Sequence, residues 1–241
     1  GNTAIGCYAA RFTTTGGYNT AIGFRALCSN STGGENTALG GAALRSITTG
    51  ANNVALGARA LCSNTIGQRN VAVGNLALVN NTTGGNNTAV GERALCSNTT
   101  GLYNTALGDC TLRYNTTGAR NIAVGTQALL DNITGIDNVG IGYRALRDNL
   151  ASNSIGIGSN ALRCNTTAIM NVAIGKNAMC STTTGLRNVA VGTAVLASNI
   201  GGCQNTAVGD YAMANAANNS SCTVAIGKSA LAANTTGSAN V

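Results

Sequence analysis

The 241-residue sequence has no histidine, no proline and no tryptophan, and its aromatic residues are six Tyr and two Phe. Charged residues are 9% of the chain, against about 25% in ordinary soluble domains. Each absence excludes something. Without histidine, the commonest general base and the commonest transition-metal ligand are both missing. Much of the 44% apolar content is Ala, so the large side chains of a conventional enzyme core are scarce. The missing proline suits interior parallel strands, which need every backbone N–H. Low charge with evenly recurring Val, Ile and Leu argues against disorder. No apolar run approaches the roughly 18 residues of a membrane span, and no signal peptide is visible.

What the chain has in quantity is Gly and Asn, and both recur with a period. The glycine that follows each Ala-Val, Ala-Ile or Ala-Leu step stands at Gly6, Gly23, Gly40, Gly57, Gly74, Gly91, Gly108, Gly125 and Gly142, then at Gly158, Gly175, Gly192, Gly209 and Gly227. The spacing is 17, except for one step of 16 (142 to 158) and one of 18 (209 to 227), which makes fourteen copies. The consensus is N-[TV]-A-[VIL]-G-x-x-A-L-x-x-N-T-T-G-x-x. The array opens and closes inside a copy, at Gly1 and at Asn240-Val241. The expectation is one repeat array over 1–241, part of a longer chain, with irregular coils near 150–170 and 209–227.

Seventeen residues are too few for a helix pair, and Asn, Thr and Gly are poor helix formers. Two Gly-containing turns per copy leave strand-length pieces. The spacing therefore predicts an all-β fold, a parallel β-solenoid or β-roll with one copy per coil and coils about 4.8 Å apart. Two short strands per coil are expected, [TV]-A-[VIL] and A-L-x. N-T-T-G is read as a turn in which Asn and Gly supply positive φ. Near-constant Ala and Gly suggest closely approaching backbones. Alternation puts Ala21 and Gly23 on one face and Thr20 and Ile22 on the other, without saying which is inside. Asn19, Asn36, Asn53, Asn70, Asn87, Asn104 and Asn121 should stack as a ladder joined by amide-to-amide hydrogen bonds; Asn serving only turn geometry is the alternative, and the two are compatible. So thin a coil buries little, and association along an outward Val/Ile/Leu stripe would supply the rest.

The motif N-[TV]-A-[VIL]-G-x-x-A in tandem resembles the YadA-like head repeats of trimeric autotransporter adhesins, best at Asn171-Val172-Ala173-Ile174-Gly175 and Asn188-Val189-Ala190-Val191-Gly192. It is similar also to N-T-A-h-G…A-L…N-T-T-G repeats of phage and large-virus fibre proteins. The resemblance spans the whole chain. It implies a left-handed β-roll, a homotrimer, and a head that binds host matrix or other cells. The 17-residue unit is longer than that of the adhesin head, and the nine cysteines depart from that family. These departures leave room for a viral, archaeal or eukaryotic extracellular fibre.

No C-x-x-C occurs, which argues against zinc or redox chemistry. Cys28, Cys62 and Cys96 share one slot in alternate copies, about 9–10 Å apart in a stack and beyond the roughly 7 Å reach of a disulfide. Cys164 with Cys180, and Cys203 with Cys222, fall on adjacent coils at nearly matching slots beside the irregular copies. Disulfides 164–180 and 203–222 are the expectation, against the alternative of buried thiols acting as small hydrophobes.

Net charge is +7. Arg25, Arg59, Arg93 and Arg144 each stand two residues after a repeat glycine, a row that could face a phosphate, a sulfated glycan or an acidic surface; a plain solvated face is the alternative. Denser basic clusters with interleaved aromatics would be needed for nucleic acid, and the aromatics read as scattered. Asn30, Asn81, Asn98, Asn115, Asn132, Asn165 and Asn234 satisfy N-x-[ST] and could carry N-glycans, unless they serve only the turn. The seven acids read as occupying different slots with no recurrent pair. No catalytic constellation, metal site or cofactor motif emerges.

The expected function is structural: a fibre segment at a cell or virion surface or otherwise extracellular, working in attachment or as a rigid spacer. Its partners would be its own copies, as a homotrimer or end-to-end filament, and a host or cell-surface receptor or glycan. A self-assembling amyloid-like matrix filament is the alternative. Ice binding is weaker, because Val54, Val71 and Ile122 interrupt the row of Thr3, Thr20, Thr37, Thr88 and Thr105.

Overall fold

The computed structural model describes residues 1–214, 220–235 and 237–240. The chain divides into two compact units, Gly1–Arg120 and Asn121–Val241. Unit one holds β1 (Thr3–Ile5), β2 (Thr20–Ile22), β3 (Thr37–Leu39), β4 (Val54–Leu56), β5 (Val71–Val73), β6 (Thr88–Val90) and β7 (Thr105–Leu107). Unit two holds β8 (Ile122–Val124), β9 (Val139–Ile141), β10 (Ile155–Ile157), β11 (Val172–Ile174), β12 (Val189–Val191), β13 (Thr206–Val208) and β14 (Val224–Ile226). Within each unit successive strands pair in parallel with like residues opposite, Ala21 against Ala38 and Ala173 against Ala190. The fold is an all-β parallel solenoid of 17-residue coils, and no helix occurs among the described residues.

Each coil carries one strand, not two. The expected second strand, A-L-x, is a chain of turns. Two observations explain this. Ala26 and Leu27 are consecutive yet both fully buried, whereas an extended strand sends neighbours to opposite faces. Arg25 (φ 57°) and Leu27 (φ 51°) are left-handed, as are their counterparts in every coil. The bend lets two adjacent side chains point inward. Backbone bonds between coils continue through it: Arg25 N–H donates to Cys7 O at 3.0 Å, and Leu27 N–H to Ala43 O at 3.0 Å. Left-handed backbone costs an ordinary residue about 1–2 kcal/mol. Burial of the leucine, worth about 1.5–3 kcal/mol, offsets it.

The interior face is the one carrying Ala21. Ala38 is 0% exposed while Leu39 beside it is 47% exposed. Inside a regular coil lie the strand alanine, the Ala-Leu pair and two asparagines, as with Ala21, Ala26, Leu27, Asn19 and Asn30. In unit one the leucine column is Leu27, Leu44, Leu61, Leu78, Leu95 and Leu112; in unit two it is Leu129, Leu146, Leu162, Met179, Leu196 and Met213. Backbones approach so closely at the repeat glycine that a Cβ on Gly40 (φ 134°) would stand 2.6 Å from Gly57 O.

The N-T-T-G turn is also built differently from the expectation. Neither Asn30 nor Gly33 has positive φ; the third left-handed residue of the coil comes two later, at Glu35 (φ 58°). Asn30 uses its side chain instead, donating from Nδ2 to Gly33 O at 2.9 Å. Glycine is needed at 33 for room, since a Cβ there would meet Asn30 Oδ1 at 2.6 Å.

The short coil from 142 to 158 loses its residue in this turn. Asn149 Nδ2 donates to Ala151 O, two residues on, at 2.8 Å, where Asn30 reaches three residues. The strand register beyond is unchanged, with Ile155 opposite Val139. Of the long copy, residues 215–219 lie outside the described residues.

Candidate functional site

The asparagine column from Asn19 to Asn121 stacks in register, and a second asparagine column in the turn stacks beside it with different chemistry. In the column just before each strand, the main bonds are to backbone. Asn53 Oδ1 accepts from Asn70 N–H at 3.0 Å, and Asn53 Nδ2 donates to Gly67 O at 2.9 Å. Each side chain thus ties one coil to the next and closes its own coil. Amide-to-amide bonds are secondary there, as Asn70 Nδ2 to Asn53 Oδ1 at 3.2 Å. In the turn column they are shorter and stand beside a bond to a backbone carbonyl: Asn81 Nδ2 donates to Asn64 Oδ1 at 2.9 Å and to Gly84 O at 2.9 Å, and Asn98 Nδ2 to Asn81 Oδ1 at 2.8 Å and to Gly101 O at 3.1 Å. A third row was not expected. Ser31, Thr48, Thr65, Thr82 and Thr99 each donate a hydroxyl to the carbonyl of the same slot in the next coil, at 2.9–3.1 Å.

These columns correct the glycan reading. Asn30, Asn81, Asn98, Asn115, Asn132 and Asn165 are 0% exposed. Their Nδ2 atoms donate inside the coil. A sugar on that nitrogen is incompatible with the folded turn. Asn234 is half-buried, and its Nδ2 donates to Gly237 O at 2.8 Å.

The two cysteine pairs lie on adjacent coils: Cys164 N–H donates to Cys180 O at 3.2 Å, and Cys222 N–H to Cys203 O at 3.0 Å. Yet all nine cysteines are free thiols. The one-residue offset within each pair is the reason. Cys203 shares its slot with Leu186, whose N–H its sulfur accepts at 3.3 Å, so the sulfur faces the coil before, away from Cys222. Cys222 shares its slot with Gln204 and meets Gln204 Oε1 at 3.4 Å. Cys180 Sγ points to Ala197 O at 3.5 Å, in the coil after. In unit one Cys62 is buried, and Cys28 and Cys96 are half-buried. Burial raises the Cys96 thiol pKa, against the lowering effect of Arg113, Arg93 and Arg59.

The arginine row is not uniform. In unit one Arg25 and Arg59 are exposed, while Arg93 lies 3.8 Å from Glu92. In unit two Arg144 Nε donates to Gln127 Oε1 at 2.9 Å and its guanidinium covers the Tyr143 ring at 4.7 Å.

Two acid pairs contradict the reading of scattered acids: Glu92 and Asp109 each stand one residue after the repeat glycine of neighbouring coils in unit one, and a second pair lies in unit two. Asp131 and Asp148 each follow a repeat glycine by six residues, so they occupy one slot of neighbouring coils. Burial, then a hydrogen bond and charge repulsion from Asp148, raise the Asp131 pKa, while Arg147 lowers it. Arg147 Nη2 donates to Asp148 Oδ2 at 2.9 Å. Counting from the glycine would have found this pair.

The outward strand face carries an apolar residue in every coil of each unit. In unit one Ile5, Leu39, Val90 and Leu107 are exposed, and Ile22, Leu56 and Val73 half-buried. In unit two Ile141, Ile174 and Ile226 are exposed. Among the described residues no group of three His, Cys, Asp or Glu could hold a metal ion, and no helix is long and apolar enough to cross a membrane. No family model, no curated protein and no solved structure matches this chain.

Proposed function

We propose that the chain is a structural segment of a surface fibre, extracellular or on a virion, that associates as a homotrimer and serves attachment or spacing. The observation that carries this reading is the outward stripe of Ile, Leu and Val, set one residue from a fully closed interior. A coil whose inside is filled by Ala, Leu and Asn has no room for these side chains, and a repeating apolar row is a surface for partners. A second copy offering the same row at the same coil spacing matches it coil by coil. No enzymatic role is assigned, since the polar groups inside the coil are bonded to one another in a repeating pattern. Sedimentation and native mass measurement test the reading. A three-chain mass that falls to one chain when Leu39 and Val90 are replaced by Lys supports it. A single-chain mass at all concentrations overturns it, and end-to-end filaments would replace it with the matrix-filament reading.

A further inference from the structure

Four of the aromatic residues, Tyr8, Phe12, Tyr18 and Phe24, lie within residues 1–24. The fold brings three of them together with two arginines on the first two coils of unit one. Tyr8 and Phe24 meet edge to face, ring centroids 6.2 Å apart. Arg11 lies over Tyr8 at 4.8 Å and over Phe12 at 4.9 Å. Arg25 lies over Phe24 at 5.1 Å and reaches Tyr8 at 5.9 Å. Two guanidinium groups therefore flank one ring. All three rings remain about half exposed, at 45%, 54% and 53% for Tyr8, Phe12 and Phe24. The first acid in the chain is Glu35, and among the described residues neither arginine has a carboxylate partner.

We propose that this cluster is a binding site for an anionic polysaccharide, with Arg11 and Arg25 holding its sulfate or carboxylate groups and the rings packing against its sugar faces. A guanidinium laid on a ring keeps its N–H edge free and held in place, which suits a planar or tetrahedral oxyanion. The same stacking takes ring faces that a nucleic-acid base would need. An acidic peptide could use the charge but would leave the half-exposed rings uncovered, whereas a sugar presents C–H faces beside its charged groups. The site belongs to a single chain and does not depend on oligomerisation. Of the arginine row, only Arg25 takes part. Arg93 has its own acid and Arg144 its own amide.

The test is binding of the full chain, at about 0.1 M salt, to heparin, hyaluronan, dextran, oligo(dT) and polyglutamate. Heparin should bind and dextran should not. Hyaluronan binding alongside heparin identifies carboxylate as sufficient; heparin alone identifies sulfate. Replacing Arg11 and Arg25 together by Gln should weaken heparin binding about tenfold, as the loss of two exposed charge-assisted contacts implies. The backbone accepts this change at position 25, because Gln127 holds the equivalent slot of another coil at φ 60°. The pair Arg59→Gln and Arg93→Gln removes the same charge elsewhere and should change binding less than about twofold. Phe12→Leu with Phe24→Leu keeps the charge and should still weaken binding. Equal weakening by the two arginine pairs overturns the proposal. So does absence of heparin binding, or oligo(dT) or polyglutamate binding as tightly as heparin.

Discussion

Unit one keeps a step of 17 throughout, while unit two contains the steps of 16 and 18; both units depart in places from the repeat's Asn, and unit two also from its Gly, as at Ala168. The cost of each departure can be read from single atoms. The turn column of unit one is interrupted at Thr13, whose buried Oγ1 has no partner, and at Ile47, where the Asn30 Oδ1 of the coil before is a buried acceptor with no partner. In unit two Thr182 interrupts the same column, and both Asn165 Oδ1 and Thr182 Oγ1 are left without partners. In the column before the strands, Ser154 replaces Asn. Its backbone still donates to Asn138 Oδ1 at 3.0 Å, but its hydroxyl reaches Ala168 O only at 3.5 Å. Asn171 Nδ2 in the next coil makes that bond at 2.7 Å. The comparison teaches that each asparagine serves two coils at once, so a substitution is felt one coil away from where it stands.

Four expectations sharpen or break this contrast, the largest first. Gly40→Ala places a Cβ against Gly57 O in a backbone region closed to L-residues, and should cost unit one about 4 kcal/mol or more in chemical denaturation. The same change at Gly140, in the middle of β9, should cost far less. Alanine is the usual residue there, no positive φ is involved, and the nearest atom to a new Cβ is Leu129 Cγ at 3.2 Å. Next, Asn70→Ser gives unit one the defect that Ser154 carries. It shortens the reach to Gly84 O and removes the Oδ1 acceptor of Asn87 N–H, and should cost about 1–3 kcal/mol, seen as a lower denaturation midpoint. Conversely, Thr182→Asn should stabilise unit two by about 1 kcal/mol by giving Asn165 Oδ1 a donor; no change in midpoint would mean the column is not additive in this way.

The smallest effect is on pH dependence. Asp131 binds its proton more tightly in the folded chain than in the unfolded one, chiefly because it is partly buried. The stability this confers is present at low pH. It is lost as pH rises from the ordinary carboxylate value through the raised folded one. Asp131→Asn should flatten that part of a stability-against-pH curve for unit two, and an unchanged curve would remove Asp131 from the account.

Much of the fold is legible in the residues. The period, the parallel stacking and the strand at [TV]-A-[VIL] follow from glycine spacing and from strand-length pieces between turns. The missing second strand is a matter of backbone sign. Nothing in Arg25 or Leu27 announces a left-handed φ, although two adjacent apolar residues, Ala26 and Leu27, already break a period of two. The partners of the Asn columns were not legible, because an amide can reach either a neighbouring amide or a backbone carbonyl, and only the depth of the turn decides. Asp131 and Asp148, and the run of aromatics before residue 25, could have been found by counting. The thiols of Cys203 and Cys222 turn on a one-residue offset that sets them in different slots, so that each sulfur meets another partner, Leu186 N–H and Gln204 Oε1.

The central claim is that buried asparagine side chains hold the coils together. Its most direct measurement is hydrogen exchange of the Asn side-chain amides by NMR. The expected result is that the Nδ2 protons of Asn53, Asn70 and Asn87 exchange as slowly as the backbone amides of β4, β5 and β6, which they immediately precede. Exchange at the rate of an exposed amide, with the strand amides still protected, would contradict it.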